Sequence, residues 1–443
     1  MQSLTVFFLY FLAFVLCLMM LKQGLSRSVD FFSVRNLYLF GFIVYQLLNP
    51  ANALYSENFT FFQIAFPAKT GKTFLLYAYL FVGVFLLSYH KLKPSRWFAR
   101  KFPAPQREIS DSFFLGLAIA LILFAVPLRF FGNSVPGLSI VSTQTSIAMA
   151  AVASAIAGWV WGNRRLNLAV IAILCFIVGA SFVISMTGAF GRRPLIGILL
   201  GLAWGAYYRR ARYMKPAKLL VTLSPIFVFV VVAVSAFTAI RHNRDTAAAS
   251  IQDTTRKMAS ADINAGILDI FGGQTTGSAS LWAIEQWPDR FDYKPLFSLK
   301  FMAYWYVPRY IWPEKPTPLS KDIARLARLK RMNWDRMTIP PGVIGYAAAE
   351  GGILAAVIYA LFFGQFLRFI DELIRLNILN PFIILPAGCA TGQILGLARG
   401  DIAIFTNLIV LGFVTTFVML FVASKLLGRK LQPAYWVPWP QPR

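Results

Sequence analysis

Charged residues are scarce in this chain. They make up 14% of 443 positions, against about 25% in a soluble domain, and the mean hydropathy is +0.61. Lipid is therefore the solvent for most of the chain. Acid is the scarcer sign, 18 Asp and Glu against 43 Lys and Arg, and the formal charge of +25 would suggest nucleic acid in a soluble protein. Most of the basic residues sit in short connections between apolar runs, which is the topology signal of a membrane protein and leaves no nucleic-acid footprint. Cysteine is nearly absent: Cys17, Cys175 and Cys389 each fall inside an apolar run. That excludes an external disulfide framework and a thiol-bound metal cluster. Histidine occurs twice, at His90 and His242, and no Asp-x-Asp is present. A metal that grips a nucleotide-sugar diphosphate has no evident ligands, so no cofactor is expected. The first run, Ser3 to Leu21, lacks a basic start, and Lys22-Gln23-Gly24 follows it in place of small residues. It reads as a retained helix rather than a signal peptide. No half of the chain repeats the other, which weakens an inverted-repeat transporter.

What is present is a series of apolar runs of the length that crosses a bilayer, roughly 20 residues. They predict an all-α polytopic protein of about eleven spans near 3–21, 31–48, 73–89, 112–130, 140–161, 168–186, 194–207, 218–240, 344–367, 381–397 and 404–424. Lys and Arg concentrate in alternate connections, 22–35, 91–107, 164–165, 209–218, 368–375 and 425–443. Positive-inside then places the N-terminus outside and the C-terminal tail, 428–443, in the cytoplasm. The chain divides into an N-terminal membrane part, 1–240, a long outer segment, 241–343, and a C-terminal membrane part, 344–427. Two spans carry glycines at four-residue spacing, Gly197-Gly201-Gly205 and Gly388-Gly392-Gly396, which predicts close helix packing. Gly71-Lys72-Thr73 ends like a phosphate-binding loop, but Phe66 stands where its first glycine should be.

The outer segment differs from the rest. Five of the eleven tryptophans lie in it, Trp282, Trp287, Trp305, Trp312 and Trp334. An interfacial belt accounts for many of them, and stacking of sugar rings is the sharper alternative. Pro308, Pro313, Pro316 and Pro318 forbid a continuous helix there and predict a turn-rich layer. Beyond them, Leu319, Ile323, Leu326, Leu329 and Met332 recur at helical spacing, with Lys321, Arg325, Arg328, Lys330 and Arg331 on other faces. That is a basic amphipathic helix near 320–333, with Ser320 as its expected cap. Arginines also stand on the outer side, where positive charge is otherwise avoided: Arg192, Arg193, Arg241, Arg309 and Arg399, joined by Lys315. A guanidinium fork suits phosphate oxygens, and a lipid diphosphate is an anion available at a membrane surface. Contact with lipid headgroups or with nearby carboxylates is the plainer alternative.

The run Tyr306-Val-Pro-Arg-Tyr-Ile-Trp-Pro-Glu-Lys-Pro316, followed by Gly345-Tyr-Ala-Ala-Ala-Glu-Gly-Gly352, resembles the Wzy-type oligosaccharide repeat-unit polymerases, as does the layout of many spans with one long outer loop before the last few. Weaker echoes lie at Thr187-Gly-Ala-Phe-Gly-Arg-Arg-Pro194 and Arg399-Gly-Asp401, and the arginine-to-glycine spacing described in some members occurs once, at Arg331 and Gly342. The resemblance implies a GT-C-like membrane glycosyltransferase in a bacterial inner membrane. It would join undecaprenyl-diphosphate-linked oligosaccharide units at the periplasmic face, without metal, in O-antigen, capsule or exopolysaccharide synthesis, alongside a chain-length regulator. Its implied site has Arg309 with Glu350 or Asp401 in catalysis, Glu314 as a further carboxylate, and Arg192, Arg193, Arg241, Trp312, Lys315, Arg331 and Arg399 on the substrate. The related O-antigen ligases carry a histidine in the long loop, for which only His242 is available here. A flippase or other transporter, and a scaffold without an active site, remain as further readings.

Overall fold

The computed structural model describes residues 2–59, 61–102, 104, 107–108, 110–132, 139–163, 167–186, 192–241, 262–264, 266, 275–309, 311–327, 338–427 and 429–430. Apolar runs become helices because only an intrachain ladder satisfies the backbone in lipid. In chain order these are α1 (Gln2–Leu25), α2 (Val34–Phe42), a π-helical turn (Ile43–Leu48), α3 (Asn49–Ser56), α4 (Pro67–Lys91), α5 (Pro94–Lys101), α6 (Asp111–Phe131), α7 (Ser139–Asn163), α8 (Leu168–Met186), α9 (Arg192–Arg209) and α10 (Pro216–Arg241). The second part holds α11 (Thr275–Gln286), α12 (Phe297–Tyr304), α13 (Leu319–Leu326), α14 (Gly342–Leu376), α15 (Pro381–Cys389), α16 (Thr391–Leu397) and α17 (Ile402–Leu427). Among the described residues eight stretches are long and apolar enough to cross a membrane: α1, α2 through α3, α4, α6, most of α7, α8, α14 and α17. This is the architecture of a polytopic membrane protein. The three other expected spans are helical too, as α9, α10 and the broken pair α15–α16, but they fall outside that set of eight.

Contacts between distant residues sort the helix ends into two groups. One end, here the basic end, gathers Asp30 with Arg212, Arg209 with Asp111, Asp371 with the start of α2, and a two-residue antiparallel pairing of Arg107–Glu108 with Arg429–Lys430. The other end carries the segment that joins α10 to α14 and is called the loop end. The glycine rows do pack closely. A Cβ on Gly205 would stand 2.3 Å from the Ala155 carbonyl oxygen, so α9 lies backbone to backbone on α7. Gly388 faces the Trp204 indole in the same way.

Among the described residues three helices are interrupted. The π-helical turn precedes Asn49-Pro50, where a proline that cannot donate and would clash with the carbonyl four residues back is accommodated by a wider turn. α15 and α16 are separated at Ala390. The largest break is inside α14, where Gly351 (φ 152°, ψ 19°) and Gly352 (φ 65°, ψ −139°) leave helical geometry. Both positive φ values require glycine.

The outer segment is not only a surface layer. α11 is buried on nearly every face and packs on α3, α4 and the first turns of α14. Its approach to α3 is close: a Cβ on Gly277 would lie 2.7 Å from the Pro50 nitrogen. Glu285 near its end accepts from the Ala65 amide at 2.7 Å and the Thr70 hydroxyl at 3.1 Å, holding the start of α4. The four prolines act as expected, since α12 stops at Tyr304 and α13 starts after Pro318. Ser320, however, is not the cap of α13. Pro318 is the residue before the helix and offers no side-chain bond, while Ser320 lies in the first turn and its hydroxyl is drawn instead to Asp401. The described part of this amphipathic helix ends at Leu326, and residues 328–337, with Arg331, lie outside the described residues.

Candidate functional site

The two carboxylates singled out in the sequence meet at the loop end. Glu350 closes the first segment of α14, with its side chain 1% exposed. Its Oε1 accepts from the Ser298 hydroxyl at 2.6 Å and its Oε2 from the Ser298 amide at 2.9 Å and from the Tyr359 hydroxyl. Ser298 is in the first turn of α12, so the carboxylate satisfies an amide that a helix start leaves open. Asp401, 5% exposed, precedes α17 and does the same for it through the Ile404 amide at 3.2 Å. Its Oδ2 takes the Tyr346 hydroxyl at 2.7 Å and the Ser320 hydroxyl at 3.2 Å. Tyr346 and Glu350 are one turn apart on α14 and share a face, which brings the two carboxylates into one neighbourhood. Burial pushes the Asp401 carboxyl upward, and the bonds from Tyr346, Ile404 and Ser320 oppose that rise.

Glu350 takes three donors and Asp401 at least three, and burial leaves little room for an incoming hydroxyl at either. Glu350 holds α12 and Asp401 holds α13, so both position the loop helices. Glu314 is the exposed member of the three carboxylates considered.

The basic residues separate into distinct places. The Arg399 guanidinium is half-buried beside the seam between α11 and the bundle, 5.5 Å over the Tyr45 ring, with its Nε 3.4 Å from the Thr276 hydroxyl. Gln46 and Ser280 line the same seam. Gln46 accepts from the Ile344 amide at 3.4 Å, and the Ser280 hydroxyl donates to the Pro341 carbonyl. Arg309 is exposed and makes long bonds of 3.5 and 3.4 Å to the Pro313 and Pro316 carbonyls. Arg309 thus belongs to the proline-rich turn, and Arg399 to the seam beside α11. Lys315 has a different job from the anion contact expected. Its ammonium is held by the Trp305 and Val307 carbonyls at 2.6 and 2.9 Å, and burial together with the Arg309 charge pushes its pKa down. It staples the proline-rich turn. Trp312 is 37% exposed with its ring edge-on to Tyr304 at 5.5 Å, an open aromatic face at the loop surface. Arg192 and Arg193 begin α9 and Arg241 ends α10. The side chains of all three lie outside the described residues, as does His242.

Three residues that matter here were not singled out in the sequence. Tyr346 and Tyr359 look like ordinary aromatic members of an apolar run, and Gln46 like a stray amide. Their burial in a span was the available signal, because a polar atom in such a place needs a partner. Compared with protein-family models, with curated proteins and with solved structures, the chain matches none. The functional reading therefore stands on the residues alone.

Proposed function

We propose that this protein is a membrane glycosyltransferase that joins undecaprenyl-diphosphate-linked oligosaccharide units on the outer side of a bacterial inner membrane. What carries the reading is the seam at the loop end, where α11 folds back into the bundle and Arg399 lies half-buried beside it. A guanidinium in such a place acts more strongly on an anion than one in water. The reaction needs little else. The acceptor sugar hydroxyl attacks the anomeric carbon of the donor, the bond from that carbon to the diphosphate oxygen breaks, and the diphosphate leaves with the electron pair. Glu314, exposed in the turn that Arg309 and Lys315 shape, takes the hydroxyl proton. Arg399 and Arg309 offset the growing charge on the leaving group, and Trp312 offers a face for a sugar ring.

The test is chain elongation on purified lipid-linked repeat units at matched protein abundance. Arg399→Ala should lower the rate by about 10²-fold, by analogy with loss of one oxyanion donor, and Arg399→Lys should recover part of it. Near-normal elongation by the alanine variant removes Arg399 from the site.

One observation favours a second reading, transport of the same lipid-linked sugar. Interrupted helices that meet inside a bundle are a device of transporters, and three are present here. Movement of the lipid-linked sugar across proteoliposomes with no elongation would decide for transport.

A further inference from the structure

The break in α14 exposes more than a bend. In a continuous helix the carbonyls of Ala349 and Glu350 accept from the amides of Ile353 and Leu354. Here they accept from the loop amides of Lys294 and Leu296, at 3.1 and 3.2 Å. The segment from Ile353 to Leu376 therefore begins with N–H groups whose helical acceptors have been taken by the loop. The positive end of its dipole lies at the break. Two phenols face the same point from different parts of the chain. The hydroxyl oxygens of Tyr293 and Tyr77 stand 3.0 and 3.3 Å from where a Cβ on Gly352 would be. Tyr77 is 8% and Tyr293 39% exposed, and among the described residues neither hydroxyl has a hydrogen-bond partner. The Tyr77 ring is buried while its hydroxyl stays accessible at the break, and a phenol so placed is open to a partner. The Glu350 carboxylate is adjacent in sequence but is held by Ser298 and Tyr359. Ile353 and Leu354 are 49% and 69% exposed, so the flank of the break opens sideways from the bundle, where a lipid approaches.

We propose that the break in α14 is a binding site for a phosphate oxyanion, seated on the Ile353 and Leu354 amides and the hydroxyls of Tyr77 and Tyr293. Every group in it donates, and a helix start supplies the matching field. The phosphate is carried on a polyprenyl lipid or is free inorganic diphosphate. The site deepens the glycosyltransferase reading, because a departing lipid diphosphate is such an anion, but binding is measured without turnover.

The experiment titrates the purified full-length protein in detergent with undecaprenyl diphosphate, with undecaprenol and with inorganic diphosphate, and repeats this for Tyr77→Phe/Tyr293→Phe. Phenylalanine keeps the ring packing and removes only the hydroxyls. The expected result is about 10-fold or more weaker binding of the phosphate ligands with undecaprenol unaffected. Whichever phosphate ligand binds the unaltered protein more tightly names the source. Unchanged affinity for both phosphate ligands overturns the site, and so does an equal loss for undecaprenol, which would mean a packing effect. Tyrosine-dependent binding in a protein that elongates no chain would sink the polymerase reading and leave the site standing. Elongation with binding indifferent to the tyrosines would do the reverse.

Discussion

The two ends of the bundle hold their acidic side chains by different means. At the basic end most of them meet guanidinium groups, Asp30 with Arg212 at 2.6 Å and Glu372 with Arg368 and Arg375 at 3.0 and 2.5 Å, while Asp371 takes the Val34 and Arg35 amides and the Tyr89 hydroxyl. At the loop end Glu350 and Asp401 meet hydroxyls and backbone amides, and the ion pair described there, Lys294 with Asp322, lies within the loop segment itself. Long ion-paired side chains tolerate small shifts of the backbones that carry them. A carboxylate that takes an amide and a hydroxyl from one residue, as Glu350 does from Ser298, fixes that backbone to within a hydrogen bond. The basic end thus adds charge to geometry, whereas Glu350 and Asp401 at the loop end are held by geometry alone. Where chemistry is proposed, these two carboxylates rely on the stricter device without an ion pair.

That contrast can be broken most directly at Glu350. Its replacement by alanine leaves the Ser298 amide, the Ser298 hydroxyl and the Tyr359 hydroxyl without their acceptor, which should cost roughly 3 kcal/mol or more. The thermal unfolding midpoint in detergent reads this, with Glu350→Gln retaining most of the stability. An alanine variant that unfolds with the unaltered protein would mean that α12 is held by something else. Ser320→Ala should cost about 1 kcal/mol and act locally. Amide exchange across 319–326 should quicken while the global midpoint barely moves, and unchanged exchange would detach Asp401 from the docking of α13. The smallest effect is expected at the basic end. The Arg375 side chain is 59% exposed and Glu372 keeps Arg368, so Arg375→Ala should stay within about 0.5 kcal/mol and vanish at high salt. A loss as large as that of Glu350→Ala would erase the difference between the two ends.

Much of the fold was legible because lipid imposes long apolar runs, and every expected span coincides with helix. The glycine rows at 197–205 and 388–396 and the proline stops at 308–318 were legible for the same kind of reason, a residue type with one strong steric rule. α11 was not. Its sequence, Thr-Thr-Gly-Ser-Ala-Ser, reads as polar loop, yet small side chains are what let Gly277 approach Asn49 and Pro50. Composition cannot tell a small residue chosen for solvent from one chosen for closeness. The pairing of Asp30 with Arg212 at the basic end was hidden by distance, since the two are 182 positions apart. In the candidate site the residue types were found, but their commitments were not. Glu350, Asp401 and Lys315 each look available in a sequence, and only neighbours in space reveal how much of their hydrogen-bonding capacity is already used.

The Gly351–Gly352 break also resets the phase of a helix. Tyr359 follows Glu350 by nine positions, and at about 100° per residue an uninterrupted helix would set the two on opposite sides, about 13 Å apart along the axis. They are bonded to each other. A helical wheel drawn through the whole of α14 therefore assigns every residue beyond Gly352 to the wrong face. Two wheels with independent origins describe it instead, one for 342–350 that belongs to the loop helices and one for 353–376 that belongs to the membrane. Two adjacent glycines allow a single stretch of chain to answer to both.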